Sequence, residues 1–179
     1  PDLIYEMGVL LGEECLKEQV SVLLGPGTNI KRSPLCGRNF EYFSEDPYLA
    51  GEMCVPYIKG IQSHGVAACA KHFAVHSGPE PERHSFDAIA SRKDMEETYL
   101  PAFEACVKEG QVEAVMGAYN AVNGVPSCCN EYLLKNILRE KWGFKGHVVS
   151  DCGAIYDIKK HHNYTDSHKE SAAISVKNG

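Results

Sequence analysis

The chain has 179 residues, of which 44% are hydrophobic and 23% charged, a composition ordinary for a globular domain with its own core. Its 18 lysines and arginines are scattered and outnumbered by 24 aspartates and glutamates, which argues against a nucleic-acid partner. There is no apolar run long enough to cross a membrane and no secretory signal pattern, so no membrane partner is expected.

The 8 cysteines are interpreted as reduced thiols. Four of them fall within apolar helix or strand patterns, where a free cysteine behaves as a small hydrophobic side chain: Cys15, Cys54, Cys69 and Cys106. Reduced cysteines favour a cytoplasmic location, although a signal peptide could lie upstream of Pro1.

Two groups of potential metal ligands give only weak signals. Cys36 and Cys128-Cys129 lie in predicted loops and lack the second C-x-x-C pair of a zinc site. His161, His162 and His168 form another set, but adjacent histidines in an exposed loop are more often simply polar. We therefore predict neither a metal nor a cofactor.

The first half of the chain predicts a helix, a strand, a long loop and a second helix. Residues 2–19 form the first helix, with apolar residues at helical spacing on one side: Leu3, Ile4, Met7, Leu10, Leu11 and Leu16. A buried strand over 21–24 ends at Gly25-Pro26-Gly27, and a loop then extends to Phe43. Asp46 and Pro47 favour the start of a helix that ends near His64.

The second half repeats the strand and helix alternation. A strand over 65–70 leads into Lys71-His72, and a polar loop follows over 76–87. Ser91 caps a helix to Gly110, residues 112–116 form a strand, and Asn130 caps a helix to Gly143. Val148-Val149 is the fourth strand, Gly153-Ala154 begins a new helix, and a last helix covers about 170–177.

Four such units, with connections long enough for parallel crossovers, predict a parallel α/β architecture. A closed eight-stranded barrel needs about 250 residues, so this chain is either an open four-stranded sheet or part of a barrel. The helix that starts without a cap and the last helix that ends at Gly179 favour a partial barrel, truncated at both ends.

Asp151 lies where the fourth predicted strand ends. In parallel α/β folds the ligand crevice forms at the carboxyl ends of the strands, so a carboxylate there is well placed to meet a substrate. The alternative is structural, because aspartate is also a preferred helix N-cap.

The segment 149–154, Val-Ser-Asp-Cys-Gly-Ala, resembles the nucleophile segment of glycoside hydrolase family 3, the β-glucosidase and β-xylosidase family. Four other stretches match in the same order and together cover most of residues 20–158. They are Gly25-Pro26-Gly27 with Asn29-Ile30-Lys31-Arg32-Ser33-Pro34, Gly37-Arg38-Asn39-Phe40-Glu41 with Ser44-Glu45-Asp46-Pro47, Lys71-His72-Phe73, and Met116-Gly117-Ala118-Tyr119-Asn120 with Asn123-Gly124.

The resemblance implies that residues 1–179 form the central part of the family's N-terminal (β/α)8 catalytic barrel. It also implies a retaining exo-β-glycosidase that removes the nonreducing-end sugar of a small oligosaccharide or an aryl or alkyl β-glucoside. A further expected partner is the C-terminal α/β sandwich domain, which normally carries the general acid. Without it we expect the fragment to be inactive.

Residue by residue, the resemblance makes Asp151 the nucleophile. It assigns substrate binding to six positions: Arg38, Lys71, His72, Arg83, Met116 and Tyr119. Each has a structural alternative, since Arg38 could instead pair with Glu41 or Asp46, and Tyr119 could be a core aromatic.

The residue types suit this chemistry. A nucleophilic carboxylate must remain ionised, and Arg38, Lys71 or His72 could supply a stabilising positive charge. Lysine, arginine and histidine also donate hydrogen bonds to sugar hydroxyls. Glu80 and Glu82 are loop carboxylates, and neither is assigned as the proton donor.

Two departures from the family pattern leave the sugar open. Cys152 stands where many members have tryptophan, and His76-Ser77-Gly78-Pro79-Glu80 replaces a loop that often holds Asn and Gln. The alternatives are a β-xylosidase, a sugar-binding fragment without turnover, and a metal-dependent hydrolase built on His72, His76 and His84.

Overall fold

The computed structural model describes all residues from 1 to 179 and is organised around a four-stranded parallel sheet. The strands are β1 (Val22–Leu23), β2 (Ala67–Phe73), β4 (Ala114–Gly117) and β7 (His147–Ser150), adjacent in that order. The predicted parallel α/β architecture is therefore confirmed. The second strand extends beyond its predicted end, so that Lys71 and His72 belong to it.

Helical segments precede β1, lie in the connections between the strands and follow β7. They are α1 (Asp2–Lys17), α2 (Pro47–Gln62), α3 (Arg92–Asp94), a π-helical segment (Met95–Tyr99), α4 (Pro101–Lys108), a second π-helical segment (Tyr132–Lys141), α5 (Ala154–Lys160) and α6 (His168–Asn178). No helix is both long and apolar enough to cross a membrane.

The helix starts follow the predicted caps. The Asp46 carboxylate accepts hydrogen bonds from the Tyr48 and Leu49 amides, and Ser91 Oγ accepts one from the Asp94 amide. Asn130 Oδ1 accepts a hydrogen bond from the Leu133 amide at 3.2 Å. Each cap satisfies amide groups that have no partner within the helix.

The two faces of the main sheet have different environments. On one face, alternate strand residues such as Ala68 and Ala70 pack into a large core with side chains of α2, α4 and the second π-helical segment. On the other, Cys69, Ala114 and Met116 form a small hydrophobic cluster with Val22 and Val149, all of them strand residues. A sheet covered by helices on one face, with strand side chains filling the other, is the arrangement of a barrel wall.

A second, small sheet lies beyond the main one and was not predicted. It contains β3 (Asp87–Ala88), β5 (Ala121–Val122) and β6 (Val125–Pro126), with β5 and β6 antiparallel. The turn of this hairpin is Asn123-Gly124, both with positive φ. Asn-Gly is the strongest short sequence signal for such a turn, so the hairpin was predictable.

Helix α1 packs on α2 through glycines rather than through its leucines. Gly8 and Gly12 are buried, whereas Leu3, Leu10 and Leu16 are exposed. A Cβ built on Gly60 of α2 would lie 2.3 Å from the Tyr5 carbonyl oxygen. The close helix contact thus buries the glycine face of α1, and of the leucines only Leu11 packs against the large core.

The β7 edge of the sheet is open. A groove of about 420 Å³ runs beside β7 and is lined in part by Val148, Ile155 and Val176. The unpaired backbone of β7 is thus available to a further strand.

We predict that Gly60→Ala destabilises the domain by about 1–3 kcal/mol, because the added methyl group collides with the backbone of α1. Gly51→Ala is the matched control, since its Cβ would meet the Ala105 methyl group at 3.3 Å. Thermal melting of the two variants measures the difference. Equal melting temperatures would contradict the close backbone contact.

Candidate active site

The predicted site residues converge at the carboxyl ends of the strands. Lys71 of β2 is in register with Met116 of β4, which is in register with Val149 of β7. Because side chains alternate along a strand, Asp151 continues on the same face as Val149. Lys71, Met116 and Asp151 therefore share the face of the sheet that carries no helices.

An ion network joins the loop after β1 to the tip of β2. Glu41 accepts a hydrogen bond from Arg38 Nε through Oε1, and its Oε2 lies 3.0 Å from Lys71 Nζ. All three side chains are at most 17% exposed. One carboxylate thus orients two cations that come from different parts of the chain.

The charges of this network are mutually stabilised. Burial opposes the charge on Glu41, but hydrogen bonds from Arg38 and Lys71 outweigh it and lower the pKa of Glu41. Burial likewise opposes the charge on Arg38, and Glu41 outweighs it and raises the pKa of Arg38. Glu41 is therefore ionised, which makes it a brace for the cations rather than a proton donor.

His72 is fully buried and neutral. Burial, with the positive charges of its surroundings, shifts the pKa of His72 far below its ordinary value. Its Nε2 accepts a hydrogen bond from Arg38 Nη2 at 2.9 Å, and Nδ1 lies 3.1 Å from the Tyr42 hydroxyl. This network assigns the proton to Nδ1. The expectation that His72 supplies positive charge is therefore wrong, and that role falls to Arg38 and Lys71.

The backbone around His72 is held by Asn29, which comes from the loop after β1. The Asn29 side chain donates hydrogen bonds to the carbonyls of His72 and Ala74, both at 2.9 Å, and accepts one from the His72 amide at 2.6 Å. The segment contains cis peptide bonds at Lys71-His72 and Phe73-Ala74. Asn29 therefore fixes the position of the strand tip that carries two of the site residues.

Asp151 follows β7 directly and is only 8% exposed. Its Oδ1 accepts a hydrogen bond from the Cys152 amide at 2.8 Å, while its buried Oδ2 has no hydrogen-bond partner. Oδ2 lies 3.5 Å from His72 Nε2, but this nitrogen is neutral and accepts from Arg38, so the contact is not an ion pair. A buried carboxylate oxygen without a partner is unusual and is available to a ligand.

Tyr119, Arg83 and Met116 occupy the surroundings of Asp151. Burial, and then the nearby Asp151 carboxylate, raises the pKa of Tyr119 to about 12. The Arg83 guanidinium lies 5.6 Å from the centre of the Tyr119 ring and is paired with Glu80 at 2.7 Å. Met116 is buried beside Cys69 and Ala114. All six predicted binding positions thus lie in or next to one region, with Arg83 at its exposed rim.

Three further residues of the site were not assigned to substrate binding from the sequence. Glu41 was interpreted mainly as a loop brace, yet it links two predicted binding residues. Tyr42 contacts His72, and His76 has its ring centre 4.9 Å from that of His72. Burial lowers the pKa of His76 to about 4, and its Nε2 has no partner. The only sequence signal for these residues is their place in or next to the matching stretches around Arg38 and Lys71-His72-Phe73.

The structure does not gather the histidines of the proposed metal-dependent hydrolase. Both ring nitrogens of His72 are engaged by Arg38 and Tyr42, and His84 Nδ1 lies 2.7 Å from Asp157 instead. The remaining arrangement combines one unpartnered carboxylate oxygen with two oriented cations. Such a site can bind a neutral polyol through charged donors and present a nucleophile to it.

The family model for the glycosyl hydrolase family 3 N-terminal domain matches residues 1–179. The chain is 52% identical over 156 residues to thermostable β-glucosidase B of Acetivibrio thermocellus, which covers 87% of this chain and 20% of that protein. It is 50% identical to an exo-α-(1→6)-L-arabinopyranosidase of Bifidobacterium breve over 88% of this chain and 21% of that protein.

It is also 42% identical to a xylan 1,4-β-xylosidase of Xylanibacter ruminicola over 95% of this chain and 21% of that protein. The chain thus spans about a fifth of the length of the curated relatives it matches.

The structure of β-glucosidase 3B from Thermotoga neapolitana in complex with α-D-glucose superposes with a TM-score of 0.83 and 47% sequence identity. The match covers 90% of this chain and 23% of that protein. The helices on one face of the sheet, the order of the strands and the match of the family model lead to one conclusion: the chain belongs to glycosyl hydrolase family 3 and forms part of its N-terminal, barrel-type domain.

Proposed function

We propose that the protein containing this chain is a retaining exo-β-glycosidase with Asp151 as its nucleophile. The observation that carries the proposal is the free Oδ2 of a buried carboxylate, at the carboxyl end of a strand, next to two oriented cations. Family membership makes glycosidic bond cleavage the reaction that this arrangement serves best.

In the first step, Asp151 Oδ2 attacks the anomeric carbon and the bond from that carbon to the leaving oxygen breaks. A carboxylic acid elsewhere in the protein gives its proton to the leaving oxygen. In the second step, the same group, now a carboxylate, takes a proton from water, and the water oxygen displaces Asp151 from the sugar. The two inversions return the original anomeric configuration.

The other residues hold the sugar and the nucleophile. Lys71 and Arg38 donate to sugar hydroxyls, and Glu41 keeps both cations in place without side-chain rearrangement on binding. His72 acts as a neutral support for Arg38 at the floor of the site. Tyr119 is protonated at neutral pH, where even an ordinary tyrosine is, and its pKa is raised further to about 12, so its hydroxyl can donate to the nucleophile or the ring oxygen.

The favoured substrate is a β-glucoside, and the alternative is a β-xyloside. The relatives support this order, since a β-glucosidase has 52% identity and a β-xylosidase 42%. Glucose differs from xylose by the hydroxymethyl group at C5. The ratio of kcat/KM for 4-nitrophenyl β-glucoside and β-xyloside decides between them, and a ratio below one would assign the xyloside.

We predict that Asp151→Gly lowers kcat by about 10⁴-fold or more, because no group replaces the nucleophile. Azide should restore turnover by attacking from the vacated side, which gives the α-glycosyl azide. Nuclear magnetic resonance of the product reports its configuration. Near-normal hydrolysis by the variant, or a β-azide as the rescue product, would refute the assignment.

We predict that Lys71→Met lowers kcat/KM by roughly 30- to 1000-fold, as expected for the loss of a charged donor from a desolvated site. Glu41 keeps its Arg38 partner, so the fold should change little. Lys108→Met is the matched control, because Lys108 is exposed and pairs only with Glu104. A lower melting temperature without a kinetic effect would show that Lys71 is structural.

We also propose that the general acid lies outside residues 1–179. Glu80 is paired with Arg83, and Glu82 is exposed. Expressed alone, residues 1–179 should fail to cleave cellobiose, because general acid assistance is worth roughly 10²- to 10⁴-fold. An activated aryl glucoside, which needs little protonation, is the comparison substrate. Efficient cleavage of cellobiose would place the acid within this chain.

A further inference from the structure

Beside the sugar site, a second group of side chains forms a cluster with metal-ligand chemistry. It consists of His84, Asp157 and His161, and one potential ligand atom from each lies within 4.8 Å of the others. His84 Nδ1 is 2.7 Å from Asp157 Oδ2, and His161 Nδ1 is 2.9 Å from Asp157 Oδ1. In the sequence, His161 was grouped with His162 and His168 as a weak signal for a metal site. In the fold, His161 lies instead with His84 and Asp157.

The Asp157 carboxylate is the centre of this cluster, and its environment is unusual. Its side chain is only 5% exposed, yet its ion-pair contacts are the two imidazoles and include no lysine or arginine. A buried carboxylate needs strong compensation of its charge. Two imidazoles supply hydrogen bonds, whereas a divalent cation would also supply charge.

The backbone geometry presents the ligands together. Asp157 and His161 are four residues apart, and the His161 amide donates to the Asp157 carbonyl at 2.9 Å, so both side chains lie on one helix face. This spacing is the one by which paired ligands on a helix hold a metal. His84 reaches the same point from the loop after β2 and is separated from Asp157 by 73 residues.

The two imidazoles are the most exposed parts of the cluster. The two histidines have exposed side-chain fractions of 39% and 37%, whereas Asp157 is fixed. Zinc binding requires Zn–N distances of about 2.0–2.1 Å, so the two imidazoles would release the Nδ1 protons that now hydrogen-bond to Asp157 and turn toward the ion. Arg83 lies beside His84, but its charge is already paired with Glu80.

We propose that His84, Asp157 and His161 form a binding site for a first-row divalent transition metal, of which Zn²⁺ is the best match. Imidazole with carboxylate suits zinc, cobalt and nickel, while magnesium and calcium prefer oxygen ligands alone. Three protein ligands leave at least one coordination position for water. The site is separate from Asp151 and does not depend on the hydrolytic reaction.

Occupancy would have a structural consequence for the neighbouring site. The His84 ring centre is 4.3 Å from that of Tyr119, and Arg83 Nε is 3.4 Å from His84 Nε2. A metal that fixes His84 therefore fastens the loop of Arg83 to α5, the helix that follows Asp151. The ion would thus cross-link the loop after β2 to α5, two segments that contact each other at this point through the side chains of His84 and Asp157.

The test is isothermal titration of the intact protein with Zn²⁺, and with Mg²⁺ for comparison. A Cys152→Ser background removes the exposed thiol as a competing ligand. We expect one Zn²⁺ per chain, no heat from Mg²⁺, and visible absorption bands of nitrogen and oxygen coordination with Co²⁺. The melting temperature should rise with Zn²⁺ concentration.

His161→Ala and Asp157→Asn should each weaken Zn²⁺ binding by more than about 100-fold, since even supporting residues of metal sites contribute 10- to 100-fold. His168→Ala is the matched control, because this histidine stacks on Tyr156 away from the cluster. The inference is overturned if the parent binds no Zn²⁺, or if His161→Ala and Asp157→Asn bind it as the parent does. Loss of glycosidase activity does not bear on either outcome.

Discussion

The Glu41 carboxylate, shared between Arg38 and Lys71, is the interaction on which the site depends. It adds a side-chain link between the long loop after β1 and the tip of β2, which backbone bridges of Gly27 to Tyr42 and Lys71 also join. If Glu41 paired with only one of the two cations, the other would have no carboxylate beside it in this ion network. Because Glu41 contacts both cations, the two are held in place by the protein itself.

The neutrality of His72 follows from the same network. A protonated imidazole between Arg38 and Lys71 would add a third positive charge to a site from which water is largely excluded, and burial already disfavours it. His72 therefore accepts from Arg38 and leaves Oδ2 of Asp151 without a partner. The Asp151 carboxylate thus keeps one buried oxygen that His72 does not engage as a donor.

The sequence was sufficient for the parts of the fold set by local patterns. Strand and helix alternation, the caps Asp46, Ser91 and Asn130, and the gathering of site residues at strand ends could all be predicted. These features depend on residues near one another in the chain, or on the general rule that parallel strands end at one edge.

The features that the sequence did not predict depend on contacts between residues that are distant in the chain. The buried face of α1 is set by the close approach of Gly8 to Gly60, a contact that the spacing of the leucines does not reveal. The charge state of His72 follows from burial and from Arg38, 34 residues away. His84 reaches Asp157 from the loop after β2, and helical periodicity alone does not place that loop. The hairpin at Asn123-Gly124 is a different case: it was not predicted, although the Asn-Gly pair is a strong local signal for a tight turn.

The most direct test of the account is to identify the residue that becomes covalently attached to the sugar. The intact protein is treated with a slow fluoroglucoside that accumulates the glycosyl-enzyme, digested, and its peptides are sequenced by mass spectrometry. The account predicts an ester on Asp151, and no label in Asp151→Asn. A label on any other carboxylate, Glu41 included, would contradict the assignment of nucleophile and brace.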